Sequence, residues 1–442
     1  MSDAHNPGAV FPPVSTAEWE AQIAKDLKGA DYEKRLVWKT DEGIAVRPYY
    51  RAEHIAAGSP ISNIAGTCEL VRTGDEPPLH VNTIALHDNG ATAVQEVAWA
   101  LAQGADRLAA GLPVAAAGFA IGSNHFMEIA KLRAMRRLWP AVAGAFGEPG
   151  AIRIHARTAA ENKTIYDPYV NMLRVTTEAL SAVLGGCDSL TVTACGFEPH
   201  LAENVQHILR EESHLDKVVD AGAGAYYIEA LTDALADQAW SVFQAIEAGG
   251  GWAACEAAGT VEAALADTRA AKEKAVALRR RVLVGTNNYP NLLERELGHG
   301  REPAAGWRLA APFEAIRMRT ERHTQTTGQT PRVLLLEHGD VKTRKARSGF
   351  CLNFFGCAGF EILISDTLAE ADLIVLCSSD AEYLDLARAI VPAVSVPVVV
   401  AGYPKAAIDD LKAAGVADFV HVQSNAVETL STWQDRLGMR RP

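Results

Sequence analysis

Two stretches of this 442-residue chain set out side chains in patterns that chemistry uses. In LLLEHGDVKTRKARSGF, residues 334–350, an apolar run ends at His338, and Lys342, Arg344, Lys345 and Arg347 follow close behind. A histidine directly after a buried strand is placed to ligate a metal or a cofactor, because neutral imidazole is a common ligand. In IRIHART, residues 152–158, Arg153, His155 and Arg157 alternate, so a strand there puts all three on one face. Such a face lines a polar pocket, or it is tied down by carboxylates such as Glu178 or Asp188. The four cations likewise either cover a solvated loop or meet an acidic partner.

Those residues need elements to hold them. With 48% hydrophobic and 22% charged residues the chain can bury a sizeable core, and its length suits two or three domains. A formal charge of −12 argues against a nucleic-acid surface as the main business. The apolar runs are shorter than the roughly 18–20 residues a membrane span needs. The polar start MSDAHNPGAV also lacks the order of a signal peptide, so a soluble cytoplasmic protein is expected. Seven cysteines without a CxxC pair fit reduced core thiols rather than disulfides or a zinc site.

Residues 1–60 suit an N-terminal arm. Ser15 and Glu18 form a capping box for one amphipathic helix, and an arm that buries Trp19, Trp38 and Tyr49 must find apolar surface on another domain or chain. Over residues 61–310, strands such as HVNTIAL, AAAGFAIG, IRIHART and SLTVTAC alternate with amphipathic helices, the pattern of a parallel α/β domain. Asp167 reads as the cap of a helix with Pro168 in its first turn, and VLVG near residue 284 as a short strand. Residues 311–330, which include TQTTGQT, read as a linker. In residues 331–442 five short strands restart the alternation, as in a flavodoxin-like sheet, with no G-x-G-x-x-G after the first strand.

IGSNHFMEIAKLRAMRRLW, IRIHARTAAENKTIYDPYVNMLRVTTEALSAVLGG, HLDKVVDAGAGAYYIEALTDALADQAW and RLAAPFEAIR closely resemble, in order, the methylmalonyl-CoA mutase family. The resemblance implies a TIM barrel that threads a CoA ester along its axis, then a flavodoxin-like domain of the cobalamin-binding type. The implied chemistry rearranges methylmalonyl-CoA to succinyl-CoA, started by homolysis of the cobalt–carbon bond of adenosylcobalamin.

The residues that this activity requires are missing. The family's cobalt-ligating histidine sits in a D-x-H-x-x-G loop after the first strand of the C-terminal domain. Here that loop reads GDVKTRKARSG, with Thr343 or a neighbouring arginine at the ligand position and His338 about five residues early. The nucleotide-tail elements shrink to Ser378 in SSD and Gly402 in AGY. Where active members carry a tyrosine and a thioester-binding histidine, this chain has Ile84 and Ala85. His87 lies two positions on, which in a strand is the same face but about 6–7 Å away. Val114, Ala115 and Ala116 replace a CoA-contacting R-L-S. Only about 30 residues separate the arm from HVNTIAL, against about 250 for a complete barrel, so three or four βα units are absent.

The expected fold is therefore α/β, with a truncated TIM-barrel-like domain followed by a degenerate flavodoxin-like domain. The expected function is that of a non-catalytic small subunit supporting a catalytic large mutase subunit, with adenosylcobalamin in that partner and none in this chain. The alternatives are an active acyl-CoA mutase with a relocated site and a stand-alone homodimeric binding protein. No catalytic or metal residue is assigned. His338, Ser378 and Gly402 are the cofactor-site candidates, and His87, Arg153, His155 and Arg157 are the substrate-site candidates.

Overall fold

The computed structural model describes residues 13–55, 68–294 and 306–440, so the arm boundary expected at residue 60 lies outside the described residues. The arm contains α1 (Thr16–Asp26), α2 (Tyr32–Leu36) and an antiparallel ribbon of β1 (Trp38–Lys39) and β2 (Ala45–Val46). The expected capping box starts α1: the Glu18 amide donates to the Ser15 hydroxyl, and the Ser15 amide donates to the Glu18 carboxylate. Trp19 and Trp38 are not buried by the arm; each is 49% exposed.

The next unit is a parallel sheet of β3 (Glu69–Val71), β4 (Val81–Asn82), β5 (Ala116–Ile121), β6 (Arg153–Thr158) and β7 (Ser189–Thr191). Its helices are α3 (Ile84–Asp88), α4 (Ala93–Ala109), α5 (His125–Ala145), α6 (Pro168–Leu184), α7 (Pro199–His207), α8 (Tyr226–Ala248), α9 (Trp252–Ala257) and α10 (Thr260–Ala277). The spatial order is β3-β7-β6-β5-β4, so the last strand returns to pair with the first while β4 ends the sheet on the other side. Among the described residues the sheet is thus open, with five strands where a closed α/β barrel has eight. One face of the strands, with Ala117, Phe119, Ile154, Ala156 and Leu190, packs on Trp99, Leu132, Met135 and Trp139 from α4 and α5.

The strand expected over HVNTIAL is only two residues long, and Ile84–Asp88 is helical instead. Side chains end the strand: the Ile84 amide donates to Asn82 Oδ1 at 3.0 Å, and Thr83 Oγ1 donates to the Gly118 carbonyl. Such local bonds compete with the ladder. The strand expected near VLVG is a turn, in which Gly285 takes φ +83 and its amide donates to the Asn288 carbonyl. Asp167 does precede α6, but in a left-handed conformation and without a side-chain capping bond.

The C-terminal unit begins with α11 (Ala311–Thr327), where a linker was expected. The TQTT stretch continues this helix, with the Thr324, Thr326 and Thr327 hydroxyls donating to carbonyls four residues back. Phe313 and Ile316 bury its other face. There follow β8 (Arg332–Glu337), α12 (Val341–Gly356), β9 (Glu361–Ser365), β10 (Leu373–Cys377), α13 (Tyr383–Ile390), β11 (Val398–Ala401), α14 (Ile408–Ala413), β12 (Asp418–Val420) and α15 (Ala426–Arg436). The five strands are parallel in the order β12-β11-β10-β8-β9. One face packs on Phe354, Phe355 and Trp433, the other on Tyr383 and Leu411. All seven cysteines are free thiols. Among the described residues no helix is long and apolar enough to cross a membrane.

Candidate functional site

In an open parallel sheet, ligands bind beyond the carboxyl ends of the strands where the strand order reverses, here between β8 and β10. His338, Ser378 and Gly402 all lie at that edge, directly after β8, β10 and β11. The chain's own side chains stand there too. Ser378 Oγ and Ser379 Oγ each donate to Glu382 Oε2 at 2.7 Å, and these bonds hold the Glu382 carboxyl below its usual pKa. A side chain at Gly339 would collide with Glu382, and one at Gly402 would come within 2.8 Å of the Arg347 guanidinium.

The cation run is not a loop. His338, Gly339 and Asp340 form the whole connection from β8 to α12, whose first turn Asp340 caps by accepting from the Thr343 amide at 2.9 Å. Lys342, Arg344, Lys345 and Arg347 therefore lie on a helix. Lys345 reaches Glu337 at 2.8 Å, and Arg347 reaches Asp380 at 2.9 Å.

Arg153, His155 and Arg157 share one face of β6, opposite the helix-packed face that carries Ile154 and Ala156. Each has its own partner: Arg153 pairs with Glu69 at 3.1 Å, Arg157 with Asp88 at 2.8 Å, and His155 Nδ1 lies 2.9 Å from Ser189 Oγ. The carboxylates expected for them serve others, since Asp188 pairs with Arg136 and Glu178 with Lys163. Burial lowers the pKa of His155 to about 4, against a smaller opposing pull from Glu76.

Glu76 belongs to residues 72–80, which connect β3 to β4. These strands form opposite edges of a five-stranded parallel sheet. Four strand spacings are roughly 19 Å, within the roughly 30 Å such a segment spans when extended. Opposite the face packed on α4 and α5, the segment runs across the sheet face that carries His155, where Leu79 and Ile84 sit against Gly118 with Ala120 and Ala159 beside them. That face of the sheet thus carries the chain's own segment.

His87 lies elsewhere, in α3 beyond the end of β4, and helical placement removes the same-face argument made for a strand. It is 4% exposed, with Nδ1 2.7 Å from Glu96 Oε2. Glu96 Oε2 also accepts from Lys131 Nζ at 2.6 Å, and Lys131 lies 2.6 Å from Glu128 Oε2. Nearby, Lys272 pairs with Glu161 at 2.8 Å. Burial disfavours charge on His87, but the Glu96 carboxylate, helped by Glu161, outweighs burial and Lys131, so the imidazole pKa is raised. Burial raises Glu128, while Lys272 overcomes burial at Glu161 and holds its pKa at about 2.

Four members of this cluster, His87, Glu128, Glu161 and Lys272, line a 480 Å³ cleft together with Trp38, Lys39 and Glu42 from the arm, while Glu96 and Lys131 lie behind them. Of the sequence candidates only His87 reaches it. Glu96, Glu128, Lys131, Glu161 and Lys272 were not singled out from the sequence. The available signal was charge at helical spacing inside apolar runs, as in Glu128 and Lys131 of HFMEIAKLRAM. Among the described residues no group of three or more His, Cys, Asp or Glu side chains is arranged to hold a metal ion.

Comparison of the sequence with known proteins finds relatives. A family model described as methylmalonyl-CoA mutase matches residues 61–326. The chain is 39% identical over 415 residues to the methylmalonyl-CoA mutase small subunit of Porphyromonas gingivalis, covering 82% of this chain and 66% of that protein. It is 35% identical over 422 residues to the probable methylmalonyl-CoA mutase small subunit of Mycobacterium tuberculosis, covering 86% and 68%. Methylmalonyl-CoA mutase of Escherichia coli is 35% identical over 254 residues, 52% of this chain and 35% of that protein. The chain thus spans about two thirds of the length of the small subunits it matches.

Proposed function

The chain belongs to the methylmalonyl-CoA mutase family, and from that membership we propose that it is a non-catalytic small subunit that supports a catalytic large subunit. In this reading the first unit is a TIM barrel reduced to five strands, and the C-terminal unit is a flavodoxin-like domain of cobalamin-binding type that holds no cobalamin. Adenosylcobalamin and the conversion of methylmalonyl-CoA to succinyl-CoA belong to the large subunit.

The observation that carries the reading is the crossing of the sheet face opposite α4 and α5 by residues 72–80, with Leu79 against Gly118. A CoA ester threaded along a barrel axis needs that space. The names of the relatives from Porphyromonas gingivalis and Mycobacterium tuberculosis point the same way. Agreement comes from the C-terminal edge, where three residues join β8 to α12 and Glu382 and Arg347 stand against Gly339 and Gly402. These residues do not fit a corrin ring held by a histidine from a longer loop.

The test is to purify the full chain from its native cell and, separately, to mix the isolated chain with adenosylcobalamin and methylmalonyl-CoA. Recovery in a complex with a larger mutase chain is expected, with no cobalamin retained on the isolated chain after gel filtration and no succinyl-CoA formed. Retained cobalamin with turnover by the isolated chain would overturn the reading in favour of a relocated active site. Recovery only as a homodimer would do so in favour of a stand-alone binding protein.

A further inference from the structure

We propose that the cleft at the N-terminal end of α5 binds a small carboxylate-bearing molecule, received by the Nε2–H of His87 and the first-turn amides of α5. The inference does not rest on the subunit reading, because the cleft is formed within one chain.

Three observations converge on one point. His87 is 4% exposed and its Nδ1 is committed to Glu96, yet its Nε2 has no hydrogen-bond partner; the nearest carboxylate oxygen, on Glu161, is 3.8 Å away. Because Glu96 is a carboxylate, Nδ1 carries the bonded proton, and Nε2 is a donor in the imidazolium that the Glu96 and Glu161 charges favour. A buried donor without a partner is costly unless a ligand or water satisfies it. Next to it begins α5, a helix of 21 residues whose N-cap residue, Asn124, makes no side-chain capping bond. The first amides of such a helix, with the positive end of its dipole, attract anions. Between the two stands Gly122, where a Cβ would lie 3.2 Å from both His87 Nε2 and Glu128 Oε1. Glycine leaves that approach open.

The charge on the lining selects the ligand. Lys39, Lys272, Arg280 and Arg281 line the cleft together with His87. Opposing them are Asp41, Glu42 and Glu161, together with Glu128, whose carboxyl is biased toward its neutral form by burial. The balance is a small positive excess. It suits a singly charged carboxylate, whereas a dianion such as sulfate would press against Glu161, which stays ionised beside Lys272.

The test is calorimetric titration of the full chain at pH 6 with butyrate, which carries a single carboxylate, with uncharged butyramide and sulfate, a dianion at that pH, as comparison probes. Butyrate is expected to bind, and butyramide and sulfate at least tenfold more weakly. Gly122→Ala and His87→Gln are each expected to weaken butyrate at least tenfold, with melting temperature followed in parallel. Should His87→Gln fail to fold, Gly122→Ala decides alone. No heat with millimolar butyrate, unchanged affinity in Gly122→Ala, or equal affinity for butyramide or sulfate would each overturn the proposal.

Discussion

Leu79 occupies the space that a side chain at residue 118 would need, and Ile84 Cδ1 would lie 3.1 Å from such a Cβ. The glycine in β5 and the leucine of the crossing segment are therefore fitted to each other. Gly118→Ala is expected to destabilise the fold by about 1–3 kcal/mol through overpacking, read from urea denaturation. Adding Leu79→Ala should recover part of the loss, because the two sites are in contact. Simple additivity of the two changes would contradict this packing.

Lys131 is fully buried between Glu96 and Glu128, and its Nζ also donates to the Ala120 carbonyl at 2.6 Å. Lys131→Met would leave Glu96 buried with one partner fewer. A loss of about 3–5 kcal/mol is expected, with a smaller loss in the Lys131→Met, Glu96→Gln double variant. Equal losses in the two would show that the carboxylate is not the cause.

His155 makes stability depend on pH. Its pKa falls from 6.5 to about 4 on folding because burial favours the neutral ring. A lowered histidine pKa means that the unfolded chain binds the proton more readily, so stability is full above pH 6.5 and declines as pH falls toward 4. The loss should be on the order of 2 kcal/mol after allowance for solvent screening. Denaturation curves of the wild type and His155→Gln should converge toward pH 4, and a parallel pH dependence in the variant would exclude His155 as the source.

Tyr383 ties two strand ends together: its hydroxyl donates to the Ala401 carbonyl at 2.6 Å and accepts from the Ser378 amide at 3.2 Å. Tyr383→Phe should cost about 1–2 kcal/mol and increase hydrogen exchange at the Ser378 amide. Unchanged exchange there would mean that the hydroxyl does not hold this edge.

The longer periodic segments were legible in the sequence. AAAGFAIG and IRIHART form strands, the capping box of Ser15 and Glu18 is present, and all five C-terminal strands formed. Failures came where side chains redirect the backbone, as Asn82 and Thr83 do in HVNTIAL, and where a polar run ends a helix anchored by buried residues upstream, as TQTT ends the helix that buries Phe313 and Ile316. The cleft was hidden for a different reason. Its charges come from the arm, α3, α5, the segment after β6, α10 and the residues that follow α10, and no single window of sequence brings them together. Only His87 was singled out, and its environment depends on Glu96, nine positions away on another helix.

A parallel sheet with two free margins ordinarily invites another strand to join it, which is a route to aggregation. Among the described residues the margins are β3 and β4, three and two residues long. Such short edges expose few consecutive backbone groups to an incoming strand. Brevity of the edge strands is therefore this open sheet's guard against strand addition.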